Sequence, residues 1–373
     1  MHPRPDRTSP CFGKRLRARL GRCRAGVACA LAATVAAAAA ADAPTVVRIG
    51  YASTPRIDQA DGKLRGNVAF AHIAEEGWLQ EQLAQRHIDL QWVPISGELG
   101  PVTNEDFAAH RIDFAQIGDL PSIILNSRGF ATRMLVGNGK GSDLYLVVPP
   151  DSTARSIRDL KGKRISVQSA RPWELGFRKL AQANGLQWSD FKTFNLDPHV
   201  SVSALASGKI DAYFGISGPA FEYNHTGRII WSTKGTLAGK VRSGELWGTR
   251  DFIQNRPDIT QLVVTAYVRA LQWESQESSR AVVIHEAEVD GTPEQVVLAR
   301  LDDKTVSWHD HASPLIDDLM IGHYREAARF AFETGVISHP VDAEALFDTR
   351  FLRQALADLH LQTAWTPSPA QGN

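Results

Sequence analysis

Gln116-Ile117-Gly118-Asp119-Leu120-Pro121 is the stretch on which the fold turns. An apolar run ends in a glycine, a helix-capping aspartate follows, and a proline stands where a first helical turn tolerates it, so a strand passes straight into a helix. Gly118 also lets backbone come close to a ligand. Alone, the pattern says no more than a capped helix start. It recurs, however, in Gln168-Ser169-Ala170-Arg171-Pro172-Trp173-Glu174 and in Tyr213-Phe214-Gly215-Ile216-Ser217-Gly218-Pro219. In open α/β sheets ligands sit beyond the carboxyl ends of the strands, where helix N-termini present N–H groups and partial positive charge.

Outward from these turns, strand-like runs at 45–51, 88–95, 112–117 and 134–137 alternate with helical patterns at 67–85, 102–109 and 120–126. After the glycine-rich Gly137-Asn138-Gly139-Lys140-Gly141 come strands at 144–148, 164–168, 191–194, 210–214 and 229–231, with helices at 172–184 and 200–206. Such alternation predicts βαβ units and largely parallel sheets. From 252 to 360 the pattern is almost wholly helical. The expected organisation is α/β: one lobe from 42–142 and the returning 238–373, a second from 143–237, and C-terminal helices covering the first lobe. Two lobes on a hinge imply a cleft.

At the second turn Ser169 supplies a hydroxyl and Arg171 a planar fork suited to an oxyanion. Two readings stand for Arg171, ligand contact or a surface pair with Glu174. Trp173 either lies against an apolar part of the ligand or belongs to the core. At the third turn Ser217 and Gly218 are the ligand-facing pair, and Asp211 is a strand-entry residue.

Together these segments resemble the periplasmic substrate-binding proteins of ABC importers for sulfonates, taurine and nitrate. The resemblance rests on Val47-Arg48-Ile49-Gly50-Tyr51, on Arg111-Ile112-Asp113-Phe114 running into Ile117-Gly118-Asp119-Leu120-Pro121, and on Asp159-Leu160-Lys161-Gly162-Lys163. It continues through Leu205-Ala206-Ser207-Gly208-Lys209-Ile210-Asp211-Ala212. It implies a type II binding-protein fold that closes on a small anionic organic ligand and delivers it to a membrane permease with its ATPase. Carried over residue by residue, Gly118, Asp119, Ser169, Ser217 and Gly218 line the cleft, with Thr54 and Asn67 as additions. Where many relatives have Trp-Asp-Pro after the second-lobe strand, this chain has Ile216-Ser217-Gly218. That removes an acid suited to an amine and favours a simple sulfonate or related oxyanion over taurine.

The N-terminal segment reads separately. Residues 1–41 hold eight Lys or Arg and one acid, then an alanine-rich apolar run at 25–41, the plan of a cleaved signal peptide and hence of a periplasmic protein. Removing it from the 41 basic and 41 acidic residues leaves 33 basic against 40 acidic, a net of −7, which argues against a nucleic-acid partner. Cys11, Cys23 and Cys29 all precede residue 42. Disulfides, thiolate metal sites and cysteine nucleophiles are therefore excluded from the mature chain. The fold also carries a desulfinase and a pyrimidine-forming enzyme, but both use cysteine, and no Gly-x-Ser-x-Gly stretch offers a serine instead. His309 and His311 stand two apart in Trp308-His309-Asp310-His311, a metal alternative that two ligands seldom complete. The expectation is a monomeric, non-catalytic receptor without cofactor or metal.

Overall fold

In chain order, β1 (Val46–Ala52), α1 (Val68–Glu76), α2 (Trp78–Ala84), β2 (Asp89–Ile95), α3 (Leu99–Ala108), β3 (Phe114–Ile117), α4 (Asp119–Ser127) and β4 (Thr132–Val136) form a first series. A second comprises β5 (Tyr145–Val148), β6 (Arg164–Ser166), α5 (Pro172–Ala183), β7 (Lys192–Phe194), α6 (Pro198–Ala206), β8 (Ala212–Gly215), α7 (Gly218–Tyr223) and β9 (Arg228–Ser232). The chain then returns through β10 (Glu245–Thr249) to α8 (Arg250–Asn255), α9 (Pro257–Glu274), α10 (Arg280–Glu288) and α11 (Glu294–Leu301). It ends in α12 (Trp308–His311), α13 (Asp318–Glu333) and α14 (Arg350–Asp358). This computed structural model describes residues 46–52, 63–65, 67–96, 99–237, 239–288, 292–302 and 305–369, all within the unit Ala43–Asn373. The segment read as a signal peptide and Thr54 lie outside the described residues.

Two five-stranded sheets result, ordered β2-β1-β3-β10-β4 and β7-β6-β8-β5-β9. β1 runs parallel to β2 and β3, and β6 parallel to β7 and β8. β10 is antiparallel to β3 and β4, as β5 is to β8 and β9. The sheets are thus mixed where the alternation predicted them largely parallel, because each takes one strand directly from a crossover. β10 was not foreseen as a strand. All five of its residues are buried, so it shows none of the alternation that marks a strand with one wet face. The helix expected over 67–85 is two helices, broken at Gly77, whose φ of 74° closes α1 with a bond from its N–H to the Ile73 carbonyl.

Burial explains why the elements stay in place. One face of the first sheet packs Phe70, Tyr267, Leu271 and Phe351, and the other packs Phe107, Ile123, Trp247 and Tyr324. The second sheet has Trp173, Phe177 and Phe214 on one face and Tyr145, Tyr213 and Phe221 on the other. Most C-terminal helices cover the first lobe, but α11 packs on α7 and α13 meets α5, so two of them reach the second. The crossovers are zipped together, Ser142 N–H to Val241 O at 2.9 Å and Val241 N–H to Ser142 O at 3.0 Å. Two buried ion pairs fasten them, Lys240–Asp143 at 2.7 Å and Lys140–Asp317 at 3.0 Å.

Candidate functional site

The β3–α4 turn does not offer the free N–H groups its sequence suggests. Asp119 N–H donates to the Arg242 carbonyl at 3.1 Å, Leu120 N–H to the Asp119 carboxylate at 2.5 Å, and Ser122 N–H to the Gly118 carbonyl at 3.2 Å. Pro121 has none to give. Asp119 is itself buried and bonded to His323 Nε2 at 2.5 Å, so its carboxylate is held inside lobe 1. Beside it Glu245 is fully buried, accepts from the Tyr324 hydroxyl at 3.2 Å, and has one carboxylate oxygen without a hydrogen bond. Burial pushes its carboxyl up to about 7, with the Arg242 guanidinium opposing and Asp119 adding to the rise.

Gly118 is instead a place of close approach. A Cβ there would stand 2.4 Å from the Arg242 carbonyl oxygen and 2.6 Å from Pro172 Cγ, in the other lobe. At Gly100, the start of α3, it would stand 3.0 Å from Ala170 O and 3.5 Å from Arg171 Cδ. The N-terminal ends of α3 and α4 therefore meet that of α5, and the lobes touch through the predicted turns.

In lobe 2, Ser169 is exposed and donates its N–H to Asn195 Oδ1 at 3.2 Å. Ala170 N–H goes to Glu174 Oε2 at 2.7 Å, and Glu174 pairs with Arg178 at 2.7 Å. Arg171 lies over the Trp173 ring, 4.6 Å from its centroid. Trp173 is 2% exposed within the core around Phe177, which corrects the reading of its indole as a surface for the ligand's apolar part. Ser217 donates its N–H to the Tyr213 hydroxyl at 3.2 Å. Gly218 lies under Tyr145, where a Cβ would come within 2.3 Å of the ring.

Asn67 leads to residues that sequence reasoning did not single out. It caps α1 by accepting from Phe70 N–H at 2.8 Å, and its side-chain amide donates to Gln116 Oε1. Gln116 Nε2 donates to the Tyr267 hydroxyl, which donates to the Gly244 carbonyl at 3.2 Å; Asn138 Nδ2 reaches the same carbonyl at 3.1 Å. This ladder runs along the carboxyl ends of β1, β3 and β4, the edge where α/β sheets hold ligands. Gln116 carried a signal, a polar residue inside the apolar Phe114-Ala115-Gln116-Ile117. Tyr267 lies 151 residues from its partner and carried none.

A cavity of about 1220 Å³ lies between α5, α13 and the second crossover, lined by Pro172, Leu175, Trp231, Lys240, Arg242 and His323 among others. Of the eight described residues among the nine picked from sequence, only Asp119 borders it. Its Lys179 and Lys240 are paired with Glu326 and Asp143, so the strand-end turns remain the better ligand candidates. Among the described residues no group of three His, Cys, Asp or Glu is placed to hold a metal ion. His309 leans on Trp365, ring centroids 5.3 Å apart. No described helix is long and apolar enough to cross a membrane.

Two α/β lobes joined by paired crossovers, with strand-to-helix turns meeting between them, define a type II solute-binding protein. The NMT1/THI5 like family matches residues 136–281. A solved periplasmic sulfonate-binding protein SsuA of a sulfonate ABC transporter, from Methylobacillus flagellatus KT, is 37% identical with a TM-score of 0.75, covering 89% of this chain and 99% of that one. The alkanesulfonate-binding protein SsuA from Xanthomonas axonopodis pv. citri, bound to MOPS, is 22% identical with a TM-score of 0.63, covering 82% and 99%. An aliphatic sulfonates-binding protein of Bacillus subtilis (strain 168) is 23% identical over 288 residues, 76% of this chain and 83% of its own. This chain belongs to the family of periplasmic substrate-binding proteins of sulfonate, taurine and nitrate ABC importers.

Proposed function

We propose that the protein is the periplasmic receptor of an ABC importer, exported by a cleaved signal peptide, and that it captures a small organic oxyanion, an aliphatic sulfonate first among them. It hands the ligand to a membrane permease and its ATPase, and catalyses nothing. The observation that carries this reading is the 37% identity to a periplasmic sulfonate-binding protein over 89% of the chain, a span that includes both lobes and both crossovers. The enzymes of this fold that work through cysteine lack a counterpart here, since Cys11, Cys23 and Cys29 all precede Ala43. Closure is a population shift between open and closed lobes, driven by the ligand's preference for the closed form.

Gly118, Ser169, Arg171, Ser217 and Gly218, with Thr54 and Asn67, stand as the cleft residues. Arg171 is the most informative of them, because its Cδ lies beside Gly100 of the other lobe. The test is calorimetry of the purified protein against alkyl and aryl sulfonates, taurine, nitrate and sulfate, repeated with Arg171→Ala. A sulfonate should bind most tightly. The substitution should weaken it about ten- to a hundredfold, the loss of one charge-assisted bond, with little change in melting temperature. Unchanged affinity would place the guanidinium outside the ligand's reach.

A further inference from the structure

The ladder along the carboxyl edge of lobe 1 assigns a role to a tyrosine from the opposite end of the sequence. This inference rests on the oxyanion reading given above. A sulfonate spreads one negative charge over three weakly basic oxygens, so several neutral N–H donors suit it better than one concentrated cation. Each carboxamide NH₂ carries two donors. Asn67 uses one on Gln116, Gln116 one on Tyr267, and Asn138 one on the Gly244 carbonyl. Each amide therefore has a second N–H to give.

An amide offers N–H or oxygen depending on which way it is turned, and its neighbours decide. Gln116 is turned by two of them: Asn67 donates to its oxygen, and Tyr267 accepts from its nitrogen. The tyrosine can accept because its own proton is given to Gly244 O. Tyr267 is fully buried, and burial pushes its phenol far above the ordinary value, so that proton stays. Gly244 lies in the second crossover and Asn138 in the first. The carbonyl that fixes the tyrosine is thus the point where the hinge segments share a hydrogen-bond acceptor.

We propose that Tyr267 is a positioning residue for the oxyanion: it holds the Gln116 amide with its N–H toward the head group and ties that amide, through the Gly244 carbonyl, to both hinge crossovers.

The test uses Tyr267→Phe, Gln116→Glu and, as a control, Tyr324→Phe, which removes another buried lobe 1 hydroxyl bonded to Glu245 outside the ladder. With pentanesulfonate as probe in calorimetry, Tyr267→Phe should bind about tenfold more weakly, the effect of one misplaced hydrogen bond. Glu at 116 can still accept from Asn67 but loses the N–H given to Tyr267 and turns a carboxylate toward the anion, so binding should fall more than a hundredfold. Tyr324→Phe should stay within about twofold. Tyr267→Phe indistinguishable from this control, or Gln116→Glu binding as the wild type does, overturns the proposal. If Gln116→Glu does not fold, the tyrosine pair decides alone. A ligand-free measurement separates this proposal from the oxyanion reading. Hydrogen exchange of the amides at 241–246 should be about tenfold faster in Tyr267→Phe than in Tyr324→Phe, as expected when a hinge hydrogen bond is lost. Equal exchange rejects the hinge link even if pentanesulfonate binds. Wild-type protein that binds none of the sulfonates rejects the functional reading, with the exchange result still deciding the role of the tyrosine.

Discussion

Lobe 1 and lobe 2 repeat one device at equivalent places in two sheets of the same strand order. Before β3 and β8, each third in the order of its sheet, stands an aspartate that grips an arginine in the adjoining second strand, β1 or β6. Asp113 N–H donates to Arg48 O at 2.9 Å and Arg48 N–H to Asp113 Oδ2 at 2.8 Å. Asp211 N–H donates to Arg164 O at 2.7 Å and Arg164 N–H to Asp211 Oδ2 at 2.8 Å. Yet the carboxyls shift in opposite directions. Burial raises Asp113, whose arginine head group is 3.7 Å away, while the Arg164 guanidinium at 2.7 and 3.1 Å holds Asp211 below its ordinary value. The difference comes from what covers each sheet. The returning chain lies over Asp113, Thr249 N–H reaching its carbonyl at 3.0 Å, whereas the second lobe's edge strands β7 and β9 stay partly open. Topology follows from the repeated backbone grip, and electrostatics from the cover.

The strongest way to break the comparison is to cut the fastening between the lobes. Asp143 accepts from Lys240 at 2.7 Å and from the Thr233 hydroxyl at 2.9 Å, both side chains of the ion pair being almost wholly buried. Asp143→Ala leaves a buried ammonium without its carboxylate, a loss of about 3–5 kcal/mol. If the two sheets are separately sufficient, urea unfolding followed by tryptophan fluorescence should also split into two steps. A single transition at the wild-type midpoint would show that the pair does not join them.

Next in size is the residue that opens each crossover-derived strand, a carboxyl at Glu245 in lobe 1 and a ring at Tyr145 in lobe 2. Glu245 rises from 4.5 to about 7 on folding, so the native state holds its proton more tightly than the unfolded chain. Stability is therefore greatest below about 4.5 and declines as pH rises toward 7. Glu245→Gln should match the wild type at pH 4 and exceed it at pH 8 by up to about 3 kcal/mol, at roughly 1.4 kcal/mol per pH unit. Glu274, also raised to about 7 by burial, titrates in the same window, so some slope will persist in the variant. Urea midpoints at the two pH values give the comparison, and a variant parallel to the wild type would place the slope elsewhere.

The two glycines of the predicted turns should separate by what they touch. A methyl at 118 meets the hinge carbonyl and the other lobe's Pro172, while one at 218 meets Tyr145 of its own lobe. Both overpack, costing about 1–3 kcal/mol. Gly118→Ala should open the lobes, read as a larger radius of gyration in X-ray scattering. Gly218→Ala should lower the melting temperature at unchanged radius, and equal radii would show that Gly118 does not limit closure.

Much of this was legible in the chain itself. Three strand-to-helix turns carry small residues and a proline, and Arg111-Ile112-Asp113-Phe114 and Lys209-Ile210-Asp211-Ala212 carry part of the family resemblance, though their equivalence as strand entries emerges only from the sheets. β10 stayed hidden because a strand buried on both faces has no period to read. At the site, local sequence located the turns but not their donors. That Asp119 N–H is taken by Arg242 and that Tyr267 orients Gln116 are contacts across 123 and 151 residues, and nothing near either end encodes them. Trp173 was open between core and cleft, since a helix start next to a ligand turn has one face toward each.

The smallest effect bears most directly on the paired aspartates. Asparagine at 113 or 211 keeps an acceptor for the arginine N–H and removes only the charge. Asp113 is raised, so the stability it confers is complete below the unfolded value of 3.8 and is lost as pH climbs through its folded value. Asp211 is lowered, so its contribution is present above 3.8 and disappears as pH falls through its folded value. At pH 7, then, Asp113→Asn should stabilise the protein and Asp211→Asn should destabilise it. Each change should be about 1 kcal/mol or less, since both carboxylates lie near solvent-reached arginines. Melting temperatures at pH 7 and pH 3 are the measurement, with both differences shrinking toward the lower pH. Shifts of the same sign at pH 7 would mean that the arginine grip, and not the cover over lobe 1, governs both carboxyls.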